Sequence, residues 1–161
     1  MATTEARNFV DTFIDFWAAP SSARLTETLH DDVVLIQPLS RRLDGICSAQ
    51  CEFDGLWGWI PDLRAEVVRW HGDAEIVFIE LRLHANWGGQ RIEWPCVDRM
   101  LLRDGKAVER HAFFDPLPLV STLLRHPSVW RSWWRSGGSR PWRYGHTSPH
   151  TATRSARGTA S

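Results

Sequence analysis

The 161-residue sequence has one lysine, one tyrosine, two methionines, three cysteines and no long apolar run. Cys47, Cys51 and Cys96 are an odd number, so they cannot all pair, and Cys47 and Cys51 have neither the two-residue spacing nor the second pair of a zinc site. They read as buried thiols in a reducing compartment. No stretch approaches the ~18 uninterrupted apolar residues of a membrane span. Residues 1–8 are polar and lead into a segment carrying Asp11 and Asp15, without the basic start and apolar stretch of a secretory leader. The expected location is therefore cytoplasmic. A glycine-rich phosphate loop, a Gly-x-Ser-x-Gly elbow, His-Glu-x-x-His and Cys-x-x-Cys are all missing, which leaves nucleotide, serine-hydrolase and zinc chemistry without support. Neither a cofactor nor a metal is expected.

What the chain does have is 43% apolar residues and ten tryptophans, enough to pack the core of one domain. Its net charge of zero hides an asymmetry. Residues 136–161 hold Arg140, Arg143, Arg154 and Arg157 and no acid, so residues 1–135 carry a net charge of −4. An acidic body argues against a nucleic-acid-binding domain, whose footprint is basic. Residues 1–135 read as the domain, and the Ser/Thr/Gly/Arg-rich residues 136–161 as a disordered basic tail.

Between residues 5 and 19, Phe9, Phe13, Phe16 and Trp17 recur at helical spacing opposite Asp11 and Asp15, and Pro20 ends the pattern. Ser21 or Ser22 can cap a second, shorter helix to about residue 29. The β-branched run at 33–36 predicts a strand, and residues 45–60 a third helix, which Gly55 and Gly58 weaken by about 1 kcal/mol each relative to Ala. Four strands follow, at about 63–70, 75–86, 91–103 and 107–114. The joints 71–73, 87–90 and 103–106 have turn-forming composition. Three helices and then an antiparallel meander predict an α+β domain with helices covering one face of a curved sheet.

Alternation assigns the sheet faces. Ile79, Leu81, Leu83 and Ala85 share one face of their strand, opposite Glu80, Arg82, His84 and Asn86. In the next strand Ile92, Trp94, Cys96, Asp98, Met100 and Leu102 form an apolar row broken by one carboxylate. The last hairpin has two possible registers. A three-residue loop with a bulge at Gly105 sets Asp98 opposite Arg110 and turns Val108, Arg110, Ala112 and Phe114 inward. A two-residue Asp104-Gly105 turn sets Asp98 opposite His111 and turns Glu109 and His111 inward. The bulged form is preferred because it buries the more apolar row.

Leu29-His30-Asp31-Asp32-Val33-Val34 leading into a strand, Pro61-Asp62-Leu63 opening the next, and Asp104-Gly105-Lys106 followed by Phe113-Phe114-Asp115 give the chain its resemblance. Over about residues 5–125 it resembles the NTF2-like superfamily, which includes SnoaL-like polyketide cyclases, ketosteroid isomerases and limonene-type epoxide hydrolases. The resemblance implies a cone in which three N-terminal helices pack on a curved antiparallel sheet. In ketosteroid isomerases an Asp base works with a Tyr and a protonated Asp. By that resemblance Asp98 takes the protonated-Asp position, while Gln37 stands at the base and Phe13 at the Tyr. The catalytic Asp that the cyclases and hydrolases carry on the final strand coincides with Ala112, and the hydrolases' Arg and Asp fall near Ile79 and Leu81. No family's full constellation carries over.

Two readings of Asp98 stand. Desolvation can make it a neutral acid that donates to a developing oxyanion, with His111 or a water moving the proton. Alternatively it forms an internal ion pair with Arg110. The expected hydrophobic cavity is lined by Phe13, Phe16, Trp57, Leu81, Trp94, Asp98, Met100, Ala112 and Phe114, with Gln37 and Arg110 as further ligand contacts. His84 is expected to face water or a dimer surface, Asp54 to face water rather than border a pocket, His30-Asp31-Asp32 to form a turn, and Asp115 to cap a helix before Pro116-Leu117. Residues 118–135 are basic, Trp-rich and amphipathic; packing on the domain or a partner subunit is a more ordinary outcome for them than a membrane surface. Val97, Leu101 and Phe113 on the outer face suit a homodimer. The functional expectation is a cofactor-independent isomerase or cyclase acting on a polycyclic or polyketide-like carbonyl compound. The alternative is a binding or interaction domain that has lost the acids.

Overall fold

The computed structural model describes residues 3–87 and 90–125, so the expectations for residues 126–135 and for the tail lie outside the described residues. The first helix, α1 (Thr4–Ala18), starts where Thr3 accepts the Ala6 N–H at 3.2 Å. Its period-3.6 apolar face of Ala6, Phe9, Val10, Phe13, Phe16 and Trp17 is buried. The second helix, α2 (Leu25–Thr28), is a single turn. Ser21 and Ser22 contribute backbone carbonyls to Arg24 and Leu25 and give no side-chain cap, so the expected longer helix does not form.

Six strands follow the order β2-β1-β6-β5-β4-β3 in one sheet, formed by β1 (Leu29–Ile36), β2 (Leu43–Asp44), β3 (Arg64–Gly72), β4 (Ile76–Trp87), β5 (Gln90–Arg103) and β6 (Lys106–Phe113). The third helix, α3 (Ile46–Trp59), connects β2 to β3 at the opposite edge, and α4 (Leu117–Arg125) follows β6. The sheet is curved, open and mixed, which corrects the all-antiparallel expectation: β3 to β6 form the meander, but β6 returns to lie parallel to β1. Local turn signals describe hairpins, and this pairing joins strands some 70 residues apart.

β1 also begins earlier than expected. His30-Asp31-Asp32 belongs to the strand, at a register shift between Leu29 and Val34, instead of forming a turn. Arg103 at the tip of β5 holds it there, with Nη2 at 3.1 Å from His30 Nδ1 and 3.4 Å from Asp32 Oδ2.

The β5–β6 hairpin combines parts of both registers. Arg103 pairs with Lys106 across a two-residue turn, with Asp104 at φ 53° and Gly105 at φ 74°, the left-handed pair of a type I′ turn. A bulge then shifts the register between Leu101 and Leu102, so that Met100 pairs with Arg110 and Asp98 with Ala112. Arg110 and Ala112 therefore point inward and His111 outward. The bulge at Val108 produces this arrangement; the loop does not.

The interior lies between the helices and the inner sheet face. Ile79, Leu81 and Met100 are fully buried beneath the aromatic face of α1 and Phe53 of α3.

Candidate functional site

Every second residue of β5 faces inward, which places Trp94, Cys96, Asp98 and Met100 in one row beside Arg110 and Ala112 of β6. Among the described residues the buried polar or charged side chains are Thr28, Asp98 and Arg110. Asp98 is 0% exposed and Arg110 8%. Arg110 Nε donates to Asp98 Oδ2 at 2.8 Å, and the Cys96 thiol lies 3.5 Å from Asp98 Oδ1. The Arg110 guanidinium also sits 5.8 Å from the centre of the Phe53 ring, a cation–π arrangement. Burial works against its charge, but the adjacent Asp98 carboxylate outweighs burial and holds the guanidinium pKa above its ordinary value.

This geometry is the ion pair of the second reading of Asp98. Both carboxylate oxygens have partners, and the pairing is diagonal across the β5–β6 ladder instead of directly opposite. Sequence reasoning passed over Cys96 and Phe53 as members of the cluster. The signal for Cys96 was present, since it shares a strand face with Asp98 two residues on.

Burial, followed by the neighbouring Asp98 charge, pushes the Cys96 thiol up to about 12, so it is protonated at neutral pH. Cys47 and Cys51 are exposed, contrary to the expectation of three buried thiols. They lie one turn apart on the side of α3 away from its buried Ala49 and Phe53. An aromatic disulfide reagent should therefore titrate two thiols per native chain within minutes and the third only after denaturation. A rapid third equivalent would contradict the burial of Cys96.

The expected cavity is filled. Phe13, Phe16, Leu81, Trp94, Met100 and Ala112 are buried in one continuous core, and Trp57 and Phe114 pack against it. Phe16 meets the Trp57 ring at 6.3 Å and Trp17 at 5.5 Å, and Phe53 lies 5.2 Å from Trp57. Large side chains that face inward from both layers meet and occupy the space between them. Ile79 and Leu81 are both fully buried. The indole nitrogens of Trp17, Trp57 and Trp94 are buried with no hydrogen-bond partner.

An open cleft of about 580 Å³ lies instead where β1 and β6 end, lined by Ile36, Gln37, Pro38 and residues 111–115. It brings Gln37, His111, Ala112 and Phe114 together and leaves Asp98 and Arg110 out. His111 is half-buried and stacks on Phe113 at 4.1 Å, on the opposite face of β6 from Arg110. The structure thus does not bring the two expected catalytic residues, Asp98 and His111, to one site. Asp115 at the cleft rim accepts the Leu117 N–H at 2.9 Å, the capping role expected of it. His84 is half-buried on the outer face and Asp54 is exposed. No group of three metal-ligating side chains occurs among the described residues, and no helix among them is long and apolar enough to cross a membrane.

Residues 10–110 match the SnoaL-like domain. The chain belongs to the SnoaL-like family. Solved structures extend the likeness at the level of fold. A protein from Jannaschia sp. CCS1 assigned as a SnoaL-like polyketide cyclase is 21% identical, with a TM-score of 0.65 over 74% of this chain and 91% of that one. An LEH-like epoxide hydrolase of M. tuberculosis is 20% identical, with a TM-score of 0.63 over 80% of this chain and 96% of its own. TerC, co-crystallised with polyporic acid, is 14% identical, with a TM-score of 0.64 over 72% and 98%. No curated protein matches the sequence. The SnoaL-like domain of this chain has the NTF2-like α+β architecture of these neighbours.

Proposed function

We propose that this SnoaL-like domain binds a hydrophobic, carbonyl-bearing ring compound of polycyclic or polyketide type and has given up the acid–base chemistry of its enzymatic relatives. The observation that carries this reading is the commitment of Asp98, the buried carboxylate among the described residues, to Arg110 and Cys96. Gln37, Phe13 and Ala112 offer no proton acceptor of suitable strength at the positions where relatives carry Asp or Tyr. The ligand would lie against the open cleft where β1 and β6 end. Pro38 and Phe114 would flank its ring, and the Gln37 amide and His111 imidazole would meet its oxygens. The co-crystal of TerC with polyporic acid supports a ligand of this kind.

One observation favours a second reading. His111 lines the cleft, where its imidazole would serve as base for an acidic C–H of the bound compound.

Titration calorimetry with polyporic acid tests both. Saturable binding is expected, weakened at least tenfold in Gln37→Ala, with no exchange of ligand C–H for deuterium in heavy water. Absence of binding by the parent protein would overturn the proposal. Exchange that disappears in His111→Gln would replace it with the second reading.

A further inference from the structure

Cysteine is among the residue types most often buried, yet two of the three in this chain are exposed and stand together. Cys47 and Cys51 are four residues apart in α3, on the side turned away from the buried Ala49 and Phe53. Four residues is about one helical turn, so the two side chains project from one stripe of solvent-facing surface. Packing does not require either sulfur there, since α3 meets the core through Ile46, Ala49, Phe53, Leu56 and Trp57.

The spacing limits what the pair can do. Cβ atoms one turn apart on a helix are about 5–6 Å from each other, whereas a disulfide needs them about 3.5–4.5 Å apart. A direct S–S bond would therefore require the start of α3 to unwind. An ion held in line between two sulfurs, with each metal–sulfur bond about 2.3 Å, sets the sulfurs about 4.6 Å apart, a span the two side chains reach with the helix intact. The number of donors then selects the ion. No group of three metal-ligating side chains converges among the described residues, so a tetrahedral ion such as zinc would keep half of its positions open. A soft cation satisfied by two thiolates would not. The resulting charge is also well placed. A monovalent ion between two thiolates leaves one net negative charge, and Cys47 is the second residue of α3, at the end where Gly45 has no side chain to cap the free N–H groups.

We infer that Cys47 and Cys51 form a two-sulfur site on the helical layer for a soft monovalent cation of the copper(I) type. On binding, each thiol gives its proton to solvent and each sulfur donates an electron pair to the ion; nothing is oxidised or reduced. The bound ion ties the first two turns of α3 together at the end that lacks a side-chain cap. The site is separate from the cleft where β1 and β6 end, none of whose lining residues comes from α3.

Anaerobic titration of the full chain with copper(I), in competition with a chromophoric copper(I) chelator, tests the inference. One ion per chain is expected, with the two fast-reacting thiols then protected from the aromatic disulfide reagent. Affinity should rise with pH, because binding releases protons. Cys47→Ser and Cys51→Ser should each weaken binding about 100-fold or more, since one arm of the chelate is lost. Both positions are exposed, so circular dichroism should show each variant folded as the parent. Zinc at the same concentration should protect neither thiol, and equal protection by zinc would overturn the choice of ion. Copper(I) uptake no greater than that of the Cys47→Ser/Cys51→Ser double variant overturns the inference. A single-serine variant that binds as the parent does also overturns it, as does one ion shared between two chains in sedimentation, because the pair within one chain is then not the site.

Discussion

Arg110→Met should destabilise the protein by about 3–5 kcal/mol, the usual result of leaving a buried charge without its partner. The stranded group is Asp98, fully buried and left with only the weak Cys96 thiol as donor. Asp98→Leu should cost a similar amount by stranding Arg110 between the sheet and the Phe53 ring. The double variant Asp98→Leu/Arg110→Met is expected to recover most of the loss, since two apolar side chains replace two ions that both had to be desolvated. Urea unfolding at neutral pH, followed by tryptophan fluorescence, measures all three. Single-variant losses below about 1 kcal/mol would show that water reaches the pair and that it is not the buried centre described above.

Phe16→Ala is expected to cost about 3–5 kcal/mol for a different reason. Phe16 is 2% exposed and sits edge-on to Trp17 while touching Trp57, so its ring bridges α1 and α3. Removing it leaves a void walled by rigid indoles that cannot collapse, and the lost dispersion contacts add to the lost transfer energy. By contrast Ile14→Ala on the same helix, 47% exposed, should change stability by no more than about 0.5 kcal/mol. Equal losses at the two positions would mean that the α1–α3 contact does not hold the helical layer.

The parts legible in the sequence were those with a strong local period. The face of α1 followed from four aromatics at helical spacing, and the inward rows of β4 and β5 followed from alternation over twelve and fourteen residues. β2, with two residues, has no period to read, and its pairing with β1 was invisible. The parallel β1–β6 pairing was hidden because it depends on distant partners. Cys47 and Cys51 misled because small apolar residues are usually buried, whereas here they occupy the solvent side of α3. At the site, alternation placed Asp98 and Arg110 on one inner surface, but the details depended on the bulge, which no residue type announced. Alternation also identified the inward-facing side chains without showing that Phe16, Trp17, Phe53 and Trp57 meet across the layers and close the interior.

The bulge at Val108 decides the interior chemistry of this fold. Were the same residues to pair from the turn onward without the shift, Val108 would stand opposite Leu101 and every later side chain of β6 would exchange faces. His111 would then stand opposite Asp98 inside, and Arg110 would move to solvent. A buried carboxylate facing an imidazole is a proton-transfer pair, whereas one facing a guanidinium is a structural pin. In this chain one unpaired residue therefore keeps an imidazole away from the buried acid, and removing Val108 would not admit it, because Glu109 would still follow opposite Leu101 and Arg110 would stay inside.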